Sequence, residues 1–93
     1  MLLQIDFLNF KNILNKNNVL LFDSQLRIAH FRFNKYINNM PQIGGGIKNN
    51  LYNPDLLLNK IYQKKNCLLS HFIDSLVSNN LTRTNFIINS LNY

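Results

Sequence analysis

Asparagine punctuates this chain, and its clusters leave room only for short helices. Leu3, Phe7, Phe10 and Leu14 recur at helical spacing with Ile13 beside them, which predicts an amphipathic helix over roughly residues 2–16. Asn15, Lys16, Asn17 and Asn18 end it, because the Asn side chain competes for backbone hydrogen bonds and tolerates the left-handed conformation. Asp23 or Ser24 can cap a second helix, whose apolar stripe is Phe22, Leu26, Ala29, Phe33, Tyr36 and Met40. Its opposite side carries Arg27, Phe31, Arg32 and Lys35. Leu26/Ile28 and Phe31/Phe33 also alternate as a strand would, so residues 26–34 leave strand open as the competitor to helix.

Residues 41–53 read as a loop, with Gly44, Gly45, Gly46, Asn49 and Asn50. Asn53, Pro54 and Asp55 then have the order of a helix start: a cap, a residue with φ already fixed, and an acid at the positive dipole end. Leu58, Ile61, Leu68, Phe72 and Leu76 carry the stripe to about residue 78, and Lys64, Lys65 and Asn66 can divide it. Asn79 and Asn80 make the next turn, Thr82 or Thr84 can cap, and Phe86, Ile87 and Leu91 define a last short helix. The expected fold is all-α: four or five short helices and one Gly-rich loop, in a single small domain or fragment over residues 1–93.

Apolar residues also spill beyond one stripe, at Ile28, Phe31, Leu56, Leu57 and Leu69. With 18 Asn lowering helix propensity, that excess predicts a chain completed by packing in a larger assembly. A chain of this size buries only ~60–65% of its unfolded surface, which excludes a large cleft between domains. One Cys excludes an intrachain disulfide framework and a Cys-based zinc finger. The longest apolar run, residues 19–22, is far short of the ~20 residues that span a bilayer.

Cys67, His71 and Asp74 share a helical face, but a catalytic triad needs a base that reaches the nucleophile, and neighbours on one helix rarely arrange this. A buried thiol beside a boundary His is the favoured reading; as a metal site the pair lacks ligands, since the only other His is His30. Gly44 to Lys48 invites a phosphate-binding reading, or a Gly-x-x-Gly clamp on single-stranded RNA, yet has neither the P-loop spacing nor a preceding strand. A flexible loop is the default there. No catalytic residue, cofactor or metal is expected.

The bases are the better lead. The net charge is +6, although it owes as much to four acids, none of them Glu, as to ten Lys and Arg. Arg27, Arg32, Lys35, Lys48, Lys64, Lys65 and Arg83 are candidates to bind RNA phosphates, and Phe31 to stack on an unpaired base. A solvated or protein-facing surface is the competing reading.

Residues with AT-rich codons (Phe, Tyr, Met, Ile, Asn, Lys) number 48, against 9 with GC-rich codons (Gly, Ala, Arg, Pro), which reports a gene of extreme base composition. The first 25 residues contain Asp6 and Asp23 and no Arg, unlike a mitochondrial transit peptide, so synthesis inside the organelle is expected. This combination resembles a mitochondrially encoded ribosomal protein of an AT-rich, ciliate-like protist. Residues 68–80, from Leu68-Leu69 through Phe72-Ile73 to Asn79-Asn80, are similar to the first helix of small-subunit ribosomal protein seven, with Asn80 where that family has a left-handed Gly. Ile87 to Leu91 resembles its second helix, whereas the family's Lys-Lys is here Leu81-Thr82. Ala29-His30-Phe31 and Ile43-Gly44-Gly45 are similar to small-subunit ribosomal protein two. The resemblance implies a non-enzymatic constituent of the mitochondrial ribosome in the matrix, bound to ribosomal RNA and neighbouring ribosomal proteins. The alternative is a small soluble or peripheral accessory subunit of a respiratory complex.

Overall fold

The computed structural model describes residues 4–39 and 54–91. Leu3, Met40 and residues 41–53, where the Gly-rich loop, Lys48 and the Asn53 cap were expected, lie outside the described residues. Among those described there are five helices and no strand: α1 (Phe7–Lys16), α2 (Asp23–Asn38), α3 (Pro54–Lys64), α4 (Leu68–Val77) and α5 (Leu81–Ser90). Residues 26–34 are therefore helical, inside α2, and the long stripe after Pro54 is split at Lys65. None of these helices is long and apolar enough to cross a membrane.

Asparagine works as the sequence predicts at two of its clusters. Asn18 has φ 64 and Asn79 φ 58, the left-handed geometry that follows a helix. Behind each, two backbone bonds close the end in the Schellman pattern: Asn18 N to Asn15 O (3.1 Å) with Val19 N to Leu14 O (2.8 Å), and Asn79 N to Leu76 O (3.2 Å) with Asn80 N to Ser75 O (2.8 Å). The left-handed residue of the second turn is thus Asn79, one before the expected Asn80. Asn80 instead caps α5, its side chain accepting from Arg83 N at 3.1 Å, in place of Thr82 or Thr84. One residue closes α4 and opens α5.

The N-terminal signals differ more from expectation. Asp6 caps α1 by accepting from Asn9 N at 2.7 Å, so the helix starts well after residue 2. Neither Asp23 nor Ser24 caps α2; Phe22 stands at that position, and Asp23 adds charge in the first turn. Before α1, Ile5 lies against α2, where Asn34 pairs with both sides of the Ile5 peptide as a neighbouring strand would. Its Oδ1 accepts from Ile5 N (3.0 Å), and its Nδ2 donates to Ile5 O (3.2 Å). His30 Nε2 donates to the same carbonyl at 2.7 Å, which fixes its proton on Nε2.

The core is a run of rings passing through three helices. Phe10 of α1 stacks on Phe33 of α2 at 5.6 Å, and Phe33 meets Phe72 of α4 edge-on at 6.0 Å. All three are fully buried. Helix α4 is the hub, packed against α2, α3 and α5, while α1 packs on α2 and α3. That position explains why Leu57 and Leu69 are buried rather than part of the apolar excess. Ile28, Phe31 and Leu56 are exposed as expected, joined by Leu8, Leu20, Leu81, the predicted core residue Phe86, and Phe22, which drops out of the α2 stripe.

Phe33→Ala removes the ring that joins Phe10 to Phe72, and its expected cost is about 3–5 kcal/mol, against less than about 0.5 kcal/mol for exposed Phe22→Ala. Urea denaturation followed by circular dichroism measures both. Equal midpoints for the two variants would contradict the ring run as the centre of the core.

Candidate nucleic-acid interface

Polar chemistry concentrates at the C-terminal end of α4, which α2 and α5 both reach. A helix leaves its last carbonyls without intrahelical partners, and here each one is satisfied. Asp74 O accepts from Ser78 N (3.0 Å) and Ser78 Oγ (2.9 Å), and Ser75 O from Asn80 N (2.8 Å). Leu76 O accepts from Asn79 N and, at 3.0 Å, from Arg32 Nη1. Val77 O accepts from the same Arg32 nitrogen at 2.7 Å. The guanidinium of α2 therefore sits on the negative pole of α4, where charge-assisted bonds are strong.

Behind it, Ser75 Oγ of α4 and Thr84 Oγ1 of α5 lie 2.7 Å apart and buried. Each is also within reach of a carbonyl of its own turn, Phe72 O (2.6 Å) and Asn80 O (3.0 Å). Two hydrogens serve these three contacts, so one hydroxyl donates to the other and the second donates to backbone. Tyr36 of α2 crosses to α5 and donates to Asn85 Oδ1. Burial pushes its phenol up from 10.0 to about 12.

These helices leave an open groove of ≈ 520 Å³ between α2 and the α4–α5 turn. Phe31, Arg32, Lys35, Tyr36 and Asn39 form one wall; Leu76, Asn79, Leu81 and Asn85 form the other, over Ser75 and Thr84. Phe31 is 68% exposed and Lys35 follows it by one helical turn. An aromatic face, an ammonium group and several amides thus share one concave surface.

The structure divides the eight expected RNA-binding residues. Phe31, Arg32 and Lys35 line this groove, but Arg32 is engaged by the two carbonyls. Arg27 is exposed, one turn before Phe31, with its guanidinium carbon 5.0 Å from the Phe7 ring centroid, a cation–π contact. Lys64 and Lys65 are exposed at the α3–α4 junction, away from the groove. Arg83 donates to His71 Nδ1 at 2.8 Å and pairs with Asp74 at 3.7 Å, so its charge is shared with α4. Lys48 lies outside the described residues.

Sequence reasoning missed Tyr36, Asn39, Asn79, Leu81 and Asn85 as groove residues. The continuation Phe31, Lys35, Asn39 at i, i+4 and i+8 was the signal for one of them. Cys67, expected to be buried, is exposed just before α4. Among the described residues no side-chain hydrogen bond joins it to His71, whose Nδ1 lone pair is already taken by Arg83, and no three metal-ligating side chains converge.

Two outcomes follow from these contacts. Arg32→Ala strips donors from two carbonyls and is expected to destabilise the fold by about 1.5–3 kcal/mol, whereas Arg27→Ala or Lys35→Ala shifts the thermal midpoint little. Equal shifts for all three would contradict the structural role of Arg32. For Tyr36, a pKa raised in the folded state means a contribution fully present below about pH 10 and lost as pH rises to about 12. Tyr36 is expected to form phenolate late, and Tyr36→Phe is expected to remove that late phase from an absorbance titration.

Comparison of the chain with known protein families, with curated proteins and with solved structures finds no match.

Proposed function

We propose that this chain is a structural constituent of a mitochondrial ribosome, in its small subunit, and that it binds ribosomal RNA and neighbouring ribosomal proteins without catalysing a reaction. The observation that carries the RNA part is the exposed Phe31 ring beside the Lys35 ammonium in a groove lined with amides, on a chain of net charge +6. An exposed ring on a free surface costs solubility, and a base stacked on it relieves that cost. The composition supports an organellar origin, because AT-rich codons account for so many residues.

The remaining apolar exposure supports protein neighbours. Leu8, Leu20, Phe22 and Phe86 are all more than half exposed, and none of them lines the groove. Faces of this kind are covered in assemblies. The same observation favours the second reading, an accessory subunit packed into a respiratory complex, because that role needs apolar docking and no phosphate contact.

Salt separates the two. Phosphate binding releases counterions and weakens steeply as salt rises, while apolar docking does not. In lysates of the organelle, the tagged chain is expected to sediment with ribosomal RNA at moderate salt and to leave the particle at high salt. Lys35→Ala is expected to lower the slope of log affinity against log salt by about 1. Sedimentation with a detergent-solubilised membrane enzyme, indifferent to salt, would overturn the ribosomal assignment in favour of the alternative.

A further inference from the structure

We infer that the groove between α2 and the α4–α5 turn seats one unpaired RNA nucleotide, its base stacked on Phe31 and its phosphate at Lys35. This rests on the RNA-binding role proposed above and specifies the ligand: an extruded or single-stranded nucleotide rather than a duplex face.

The choice of occupant follows from what the groove leaves unsatisfied. Among the described residues, the Asn79 side chain makes no hydrogen bond, so its amide offers both donor and acceptor. Asn85 spends Oδ1 on the Tyr36 hydroxyl and keeps Nδ2 for a ligand. Asn39 spends Nδ2 on Lys35 O at 2.9 Å and keeps Oδ1. Lys35 has no ion pair among the described residues. Phe31 and Leu81 give the same groove two exposed apolar walls.

An apolar helix laid here would strand those amides and the ammonium, each at a desolvation cost. A free inorganic anion would use Lys35 and ignore Phe31 and Leu81. A nucleotide meets all three features at once: a π-face for the ring, an edge of donors and acceptors for the amides, and a phosphate for the ammonium. Duplex bases are stacked inside their helix and cannot present a face to Phe31. The volume of ≈ 520 Å³ falls within the ~300–1,000 Å³ of small-ligand pockets. Because amides donate and accept, and every base has a π-face, the seat tolerates all four bases.

The test uses the full chain with short single-stranded oligouridylate and oligoadenylate RNA, and a blunt RNA duplex as the contrast. Fluorescence anisotropy gives affinity, and amide NMR shifts locate the contact. Both single strands are expected to bind, with shifts confined to Phe31, Lys35, Asn39, Asn79, Leu81 and Asn85, and the duplex is expected to leave these unshifted. Phe31→Ala is expected to weaken binding about 5- to 150-fold, the span of one lost base stack, and Phe31→Tyr to retain it. Phe31 is exposed, and an unchanged circular dichroism spectrum of Phe31→Ala shows that the loss comes from contact. If single strands bind but Phe31→Ala equals wild type, or the shifts fall elsewhere, the nucleotide seat is overturned while RNA binding stands. If the duplex shifts the groove as strongly as the single strands, the seat is likewise overturned. If neither RNA binds and the chain also fails to sediment with ribosomal RNA, the wider RNA assignment falls with it.

Discussion

A single guanidinium fixes the geometry on which the rest of the molecule depends. Arg32 reaches from α2 to the carbonyls of Leu76 and Val77, the two at the end of α4 that backbone closure satisfies least. Charge-assisted bonds to a helix C-terminus align dipole and cation, so the contact sets both the distance and the direction of α4 relative to α2. The turn at Asn79 and Asn80 closes on the adjoining carbonyls of Leu76 and Ser75, and α5 begins on the Asn80 cap. Helix α5 is therefore placed by the end of α4, which Arg32 anchors to α2 alongside the Phe33–Phe72 ring contact. The groove walls are those three elements.

The core obeys a related economy. Helix α4 touches three other helices, so its polar arc is confined to Ser70, His71 and Asp74, while Leu69, Phe72, Ile73, Ser75 and Leu76 are all buried. Two hydroxyls placed back to back, Ser75 and Thr84, let α4 and α5 approach where larger side chains would hold them apart. The polar atoms cost little there because each has a partner. One buried polar atom, Asn17 Nδ2, has none among the described residues. It sits at the C-cap of α1, where the backbone bonds of the turn are complete and the side chain is simply enclosed.

Much of this architecture was legible in the residues, and the reasons are local. The Phe7, Phe10, Leu14 spacing and the stop at Asn18 depend on neighbours within a turn or two, and both appear in α1. So does the division after Lys64. What failed was also physical. The Asp23 and Thr82 caps were plausible by residue type, but a cap needs a non-helical backbone at that position, and the chain turns into the helix at Phe22 and Asn80 instead. Leu57 and Leu69 looked surplus because a single stripe assumes one buried side, whereas α3 is covered by α1 and α4, and α4 by three helices.

The candidate site was legible only in part, because charge can be counted along a sequence and availability cannot. Arg32 and Lys35 are three residues apart and equally basic, yet the first is held by carbonyls 44 and 45 positions away and the second faces an open groove. Arg83 is likewise committed to His71 and Asp74 on a preceding helix. The asparagines pose the converse problem. They are so numerous that no individual Asn invites notice, and abundance alone gives none of them a role. Geometry decides which copies become useful: Asn18 and Asn79 adopt the left-handed φ, Asn80 caps, Asn34 imitates a strand, and Asn39, Asn79 and Asn85 present amides to one cavity. An abundant residue becomes chemistry wherever the fold leaves its amide half-satisfied. Asn79 does both jobs at once, since the turn that spends its backbone on α4 leaves its side chain free to face the groove.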